Sequence, residues 1–391
     1  MKATFRHGDL EKILRQLLRV VPNSTNKAVL KHVLIEAKRE EDRVDFYASS
    51  EDMSLRRTLC VEATDSSVEI ARSGSCLLPA KELYEVIKRA NGPITVETTT
   101  DRTVITFGKT KFELVGLQPR LFQPYGDADD EVTTATVLAP HLYRLIRRTS
   151  YAAGKSQTRP ILTGVQLTLA DGHLSAVATD ALRLAQYTVS CEDVNGEDRQ
   201  LVIPAVLLDT LATALPASDD DEEVTFTLGT SSCTVSWGDD AFHMALRGLE
   251  GTYPDTARLI PERTAHRVVV ERQALLTACE RVAILSEADH QRAEFRFTMS
   301  GLTVSATSTQ YGHAEETLET IQGTKDDVEL LCNVHYWIAA LKALDGIAQV
   351  EIGLNGPLQP CLLRPVGEEG VGLIATVARS SAPTETKRNA S

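Results

Sequence analysis

The chain has 391 residues, 42% of them apolar and 24% charged, and a formal net charge of −13. Those values describe an ordinary water-soluble chain of several domains and exclude a sequence too polar to bury a core. They also weigh against a wholly basic nucleic-acid-binding domain, although an acidic chain can still carry one basic surface. No stretch is long and apolar enough to span a membrane, and Met1 to His7 lead into no signal-like apolar run. The cysteines (Cys60, Cys76, Cys191, Cys233, Cys279, Cys332 and Cys361) are isolated and form no C-x-x-C. They read as buried thiols in a reducing compartment, so a cytoplasmic protein is expected.

In chain order, Asp9 is placed to cap a first helix whose apolar stripe is Leu10, Ile13, Leu14, Leu17 and Leu18. Strand patterns follow at Val33–Ala37 and Val44–Ala48. Leu77-Leu78-Pro79-Ala80 then opens a second helix on Leu83, Val86, Ile87 and Ala90. Ile94–Glu97, Val104–Phe107 and Phe112–Leu114 read as further strands. Pro140 opens a third helix on Leu142, Leu145, Ile146 and Ala153.

The stretch from Thr158 to Leu184 reads as a strand opening at Arg159-Pro160-Ile161-Leu162, then an alternating strand that stops at Asp180 and resumes. Val202-Ile203-Pro204-Ala205 leads into a helix on Leu208, Leu211, Ala212 and Leu215, with strands at Val224–Leu228 and Cys233–Trp237. A fifth helix carries Leu275, Ala278, Cys279, Val282 and Ala283, and a sixth carries Trp337, Ile338, Leu341 and Leu344. Strands at Phe295–Met299, Leu302–Ala306 and Val350–Leu354 complete the pattern.

Leu10, Leu142 and Leu275 stand about 130 residues apart, and the second helix of each pair keeps the same interval. A period this long means tandem domains. Two helices against several strands in each unit favour α+β, antiparallel sheet with helices packed on one side. The expected division is 1–128, 129–257 and 258–378, with 379–391 a disordered polar tail.

No catalytic signature is found: no phosphate loop, no G-x-S-x-G, no H-E-x-x-H and no dinucleotide fingerprint. His313-Ala314-Glu315-Glu316 reads as an exposed edge rather than a metal site, and Asp219 to Glu223 as a solvated loop. No catalytic residue, metal or cofactor is expected. The cations are more informative. Lys12, Arg15 and Arg19 share one face of the first helix, and Arg144, Arg147 and Arg148 cluster on the third. Lys81, Lys88 and Arg89 belong to the second helix, and Arg272 and Arg281 to the fifth. Basic helices on an acidic body suggest a polyanion followed along its backbone.

Thr158-Arg159-Pro160-Ile161-Leu162-Thr163-Gly164-Val165, Ala178-Thr179-Asp180 with Arg183-Leu184-Ala185, and Tyr253-Pro254-Asp255 with Leu259-Ile260-Pro261 carry a resemblance. With three tandem units, the chain resembles the bacterial sliding clamp family, the beta subunit of DNA polymerase III, over residues 1–378. The resemblance implies the DNA-clamp fold three times over and a head-to-tail homodimeric ring with helices lining the hole. It implies a non-catalytic processivity factor on duplex DNA, held without reading sequence. Its implied partners are the polymerase III alpha subunit, the clamp loader and other proteins with a clamp-binding motif.

Carried over by position, the implied DNA-lining residues are Lys12, Arg15, Lys81 and Arg159, to which spacing adds Arg144, Arg147 and Arg148. The implied dimer seam joins Phe112 and Leu114 to Ile284 and Leu285. Alternating Phe112-Glu113-Leu114 reads equally as an edge strand awaiting another chain or as an ordinary buried strand. The implied partner-peptide pocket comprises Leu162, Thr179, Leu182, Arg183, Leu184, Pro254, Leu259, Leu373, Ala375 and Val377. Here the chain departs from the family, which usually has Gly-His at Ala181-Leu182 and a Met-Pro-containing C-terminus. A variant clamp with an altered pocket, serving a specialised partner or resisting inhibitors, is therefore the alternative, with an enzyme of unrecognised site a remote third.

Overall fold

A computed structural model describes residues 1–61, 67–99, 102–124, 131–216, 222–286 and 291–376. Among them run six α-helices: α1 (His7–Leu17), α2 (Ala80–Ile87), α3 (Ala139–Thr149), α4 (Ala205–Ala212), α5 (Arg272–Ala283) and α6 (Val334–Ala343). Each falls where an apolar stripe of helical period was expected. Pro79 and Pro204 are the N-cap residues of α2 and α4, where the missing N–H would have no partner anyway. Asp9 does not cap α1. The helix begins at His7, and Asp9 sits inside the first turn, 3.7 Å from Arg6, where its charge opposes the positive end of the helix dipole. Helix α3 stops at Thr149, so Ala153 lies beyond it, after the 3-10 turn Ser150–Ala152.

The chain divides into two compact units. The first comprises Met1–Arg144, Gln166–Leu174 and Val189–Gly251, and the second Leu145–Val165, Ser175–Thr188 and the described residues from Thr252 onward. In the first unit a five-stranded sheet runs in the order Val68–Arg72, Lys2–Phe5, Ile94–Thr98, Arg102–Phe107, Thr110–Val115. A nine-stranded sheet runs Glu192–Asn195, Thr133–Leu138, Glu223–Leu228, Ser232–Trp237, Phe242–Arg247, Met53–Cys60, Arg43–Ser49, His32–Lys38, Gly74–Pro79. The second sheet takes strands from both the first and the middle third of the sequence, joined where Phe242 pairs with Arg57. Pairing is antiparallel, and the leucine stripe of α1 (Leu10, Ile13, Leu14, Leu17) is fully buried. Asp45 is buried on a central strand, and the cost of burying its charge is offset by the Thr58 hydroxyl, which donates to it at 2.7 Å, and by Lys38, which approaches to 3.0 Å.

In the second unit, Arg183–Ser190, Val371–Ile374, Cys361–Pro365, Gln349–Leu354 and His266–Glu271 are consecutive neighbours in one sheet. Gly312–Glu319, Gly301–Ser308, Arg292–Phe297 and Val328–Asn333 form another, and α5 and α6 pack together beside it. Its core includes Leu275, Cys279, Val282, Phe295, Trp337 and Leu341. Trp337 is wholly buried, its ring stacked 4.6 Å from that of Phe295.

Two expectations fail here for local reasons. Arg159-Pro160-Ile161-Leu162 does not open a strand. Pro160–Thr163 is a 3-10 turn closed by the Thr163 hydroxyl donating to the Pro160 carbonyl at 2.7 Å, and the strand starts at Gly164. Arg272 does not join a basic surface. It is buried, donating to the carbonyls of Ile347 at 2.9 Å and Leu341 at 3.1 Å, and so satisfies the end of α6.

Candidate nucleic-acid interface and partner pocket

Burying the leucine face of α1 forces Lys12 and Arg15 outward, and both are exposed. Arg19, expected on the same face, lies two residues past the helix end and is exposed as well. Arg15 is tied to Glu11 at 2.6 Å, whereas Lys12 has no ion pair among the described residues. Arg19 donates to the Thr213 carbonyl just past the end of α4. Lys81 is exposed on α2, its ammonium 3.4 Å from Asn23 Oδ1. On α3, Arg147 is exposed and without an ion pair among the described residues, and Arg144 is half-buried, donating to Pro140 O at 3.3 Å.

Arg148 is on the other side of that helix. It is 6% exposed, ion-paired with Glu368, and its guanidinium lies 4.7 Å from the Tyr187 ring. It holds the second unit together rather than facing a ligand. Arg281 is exposed on α5 but paired with Glu316 at 2.9 Å.

Each unit also presents an open sheet edge. Thr110–Val115 is an outer strand of the five-stranded sheet, with Phe112 40% and Val115 72% exposed and Leu114 half-buried. Phe112 stacks on Phe107 at 6.0 Å. Of the two readings of Phe112-Glu113-Leu114, the edge strand is the one found. In the second unit Ile284, just past α5, is 78% exposed and Leu285 is half-buried. Gly312–Glu319 is an outer strand there, as the pattern His313-Ala314-Glu315-Glu316 indicated. Neither edge has a covering strand among the described residues.

The turn after His173–Thr179 builds a cavity within the second unit. Asp180 Oδ1 accepts from the backbone N–H of Leu182 and of Arg183, both at 2.9 Å, and Oδ2 takes Arg183 Nε at 2.9 Å. Thr179 is buried beneath, its hydroxyl donating to Arg183 O at 2.6 Å and its N–H to Tyr253 Oη at 3.0 Å. Burial pushes the Tyr253 phenol up to about 12, so it stays protonated and can donate to Gly164 O at 3.4 Å. The Arg183 guanidinium lies 4.8 Å from the Tyr336 ring and 5.8 Å from that of Tyr151. Burial, with Asp180 adding, raises the Tyr336 phenol, and Arg183 opposes the rise.

The cavity measures about 740 Å³, within the range of small-ligand and peptide-anchor sites. Of the expected pocket residues, Leu162, Leu182 and Arg183 line it. Leu184 and Leu373 lie behind, packed together on Leu362, and the Ala375 N–H donates to Leu182 O at 2.9 Å. Pro254 and Leu259 are exposed and are not in its lining, and Val377 lies outside the described residues. Arg159, expected on the DNA-lining surface, is in the wall of this cavity. Sequence reasoning missed Lys155, His335, Tyr336 and Ala339. The last three lie at helical spacing on the face of α6 opposite its buried Trp337 and Leu341, which was the available signal.

Ala181 holds φ at +76°, a conformation in which a Cβ crowds the following carbonyl and which glycine adopts freely. Ala181→Gly is expected to raise the unfolding free energy by up to about 1 kcal/mol, read as a higher melting temperature.

Family models for the DNA polymerase III beta subunit match the chain in sequence: the N-terminal domain over residues 1–124, the central domain over 136–255 and the C-terminal domain over 257–376. The chain belongs to this family, the bacterial beta sliding clamps. It is 28% identical over 377 residues to the beta sliding clamp of Staphylococcus epidermidis, covering 95% of this chain and 97% of that one. The Staphylococcus aureus beta sliding clamp is likewise 28% identical over 378 residues, with the same coverage. Among solved structures, the DNA polymerase sliding clamp of Bacillus subtilis superposes with a TM-score of 0.89 at 27% identity, over 97% of this chain and 100% of that one. The DNA polymerase beta subunit of Streptococcus pyogenes gives a TM-score of 0.89 at 25% identity and the same coverage.

Family membership makes this chain a DNA replication protein of the sliding-clamp class. Among the described residues no helix is long and apolar enough to cross a membrane, and no cluster of metal-ligating side chains occurs.

Proposed function

We propose that the chain is a non-catalytic accessory subunit of the polymerase III holoenzyme, acting in the cytoplasm as a homodimeric ring around duplex DNA. Two copies meet head to tail, the Thr110–Val115 edge of one against the end of α5 and the open edge strand of the other. The three repeats, 1–128, 129–257 and 258–378, then supply six domains to the ring. Lys12, Arg15, Lys81, Arg144 and Arg147 meet phosphates by displacing counterions, a sequence-blind interaction that lets the ring slide. The polymerase alpha subunit, the clamp loader and other partners insert an apolar peptide at Leu162, Leu182 and Arg183, over the Leu184–Leu373 cluster.

The observation that carries this reading is the outward cationic face of α1 on a chain whose net charge is −13. A basic face on an acidic body directs a polyanion to that face and away from acidic surface. The test replaces Lys12 and Arg147 with Gln, singly and together, and measures duplex affinity against salt. Each change is expected to weaken binding to all sequences alike and to flatten the log-log salt slope by about 1. An unchanged slope in the double variant removes these residues from the phosphate path.

A further inference from the structure

The cavity in the second unit has a chemical asymmetry that an apolar peptide slot does not require. One part of its wall is apolar, from Leu162, Leu182 and the ring of Tyr336. The other part carries Lys155, Arg159 and His335. Lys155 and Arg159 are exposed, and neither has an ion pair among the described residues. Among the described residues Asp180 is the one carboxylate in the lining, and its oxygens are already engaged by the Arg183 guanidinium and by two backbone N–H groups. Among the described residues the wall therefore presents the positive charge of Lys155 and Arg159 without a counter-charge of its own, beside an apolar surface.

We infer that this rim selects partner peptides that carry carboxylates next to their apolar anchor, Lys155 and Arg159 pairing with the acidic residues while Leu162 and Leu182 take the anchor. The inference rests on the partner-pocket reading proposed above. A peptide is favoured over nucleic acid because the cations edge a concave, partly apolar cavity. Phosphates spaced along a duplex instead need an extended exposed face such as that of α1. Cations at a rim act mainly through long-range attraction and salt-sensitive pairing, so they tune partner choice and leave the anchor to supply the bulk of the affinity.

The test uses the full-length chain and two fluorescein-labelled peptides with the same Leu-Leu-Phe anchor, one flanked by Asp and Glu and the other by Asn and Gln. Fluorescence anisotropy at low salt is expected to show the acidic peptide bound about fivefold more tightly, with the gap closing at high salt. A Lys155→Gln/Arg159→Gln variant is expected to bind both peptides as the unchanged chain binds the neutral one. Equal affinity for the two peptides, or a gap that persists in the double variant, overturns the inference while leaving the pocket intact. Binding of neither peptide removes the pocket reading and this inference with it. An oligodeoxynucleotide that binds with the same dependence on Lys155 and Arg159 and displaces the acidic peptide assigns the cations to nucleic acid and likewise overturns it.

Discussion

Replacing Trp337 with Ala is expected to destabilise the second unit by about 3–5 kcal/mol. The side chain is wholly enclosed, stacked on Phe295, and surrounded by aliphatic and thiol groups from α5, α6 and two sheets. Truncation loses the transfer free energy of the indole and leaves a hole that strands on one side and helices on the other cannot jointly close. Hydrogen exchange reads the effect directly. Protection in Arg292–Phe297 and Gly301–Ser308 should fall by about two to three orders of magnitude, at about 1.4 kcal/mol per decade. Protection in the nine-stranded sheet of the first unit serves as the internal reference. Trp337→Phe, which keeps an aromatic ring against Phe295, should lose much less. Unchanged exchange in the Ala variant contradicts the placement of Trp337 at the centre of that core.

Assembly is where the second large effect is expected. Phe112 and Ile284 are 40% and 78% exposed, so converting either to Asp should alter the stability of an isolated chain by less than about 0.5 kcal/mol. In a closed seam the same carboxylate is enclosed opposite an apolar surface, and an unpaired buried charge costs several kcal/mol. A head-to-tail ring contains that seam twice. Phe112→Asp and Ile284→Asp should therefore each yield a particle with the mass of one chain by light scattering, still folded by circular dichroism, where the unchanged chain has twice that mass. A variant that keeps the double mass places the seam elsewhere.

The repeat in the fold was legible because it is written in periodicity. Leu10, Ile13, Leu14 and Leu17 announce α1 through their spacing alone, and the corresponding stripes of α3 and α5 do the same. Exposed cations on α1 followed from the same stripe, since burying one face dictates where the other points. What spacing could not reveal was the fate of an arginine whose partner is distant in sequence. Arg147 and Arg148 are adjacent, yet one is exposed and the other pairs with a glutamate 220 residues away. Arg272 is similar: its acceptors are carbonyls at Leu341 and Ile347, and no local pattern announces them.

The pocket was half legible. Leu162, Leu182 and Arg183 were found through the resemblance, but the contribution of α6 was not, because His335 and Tyr336 read as ordinary positions on the outer face of a helix. The turn at Pro160 was misread for a simpler reason. A proline followed by apolar residues suits a strand opening and a 3-10 turn equally, and the Thr163 hydroxyl decides between them.

The claim on which the account depends is confinement: two copies surround the duplex, and enclosure holds them there instead of a tight grip. The direct measurement is retention on DNA whose ends can be opened. The chain is loaded on a nicked circular plasmid with a clamp loader, separated from free protein by gel filtration at moderate salt, and half of the sample is cut once with a restriction enzyme. The account predicts co-elution with the circle and release from the linear form, with Ile284→Asp retained on neither. Equal retention on circular and linear DNA, or retention by a variant with the mass of one chain, contradicts it.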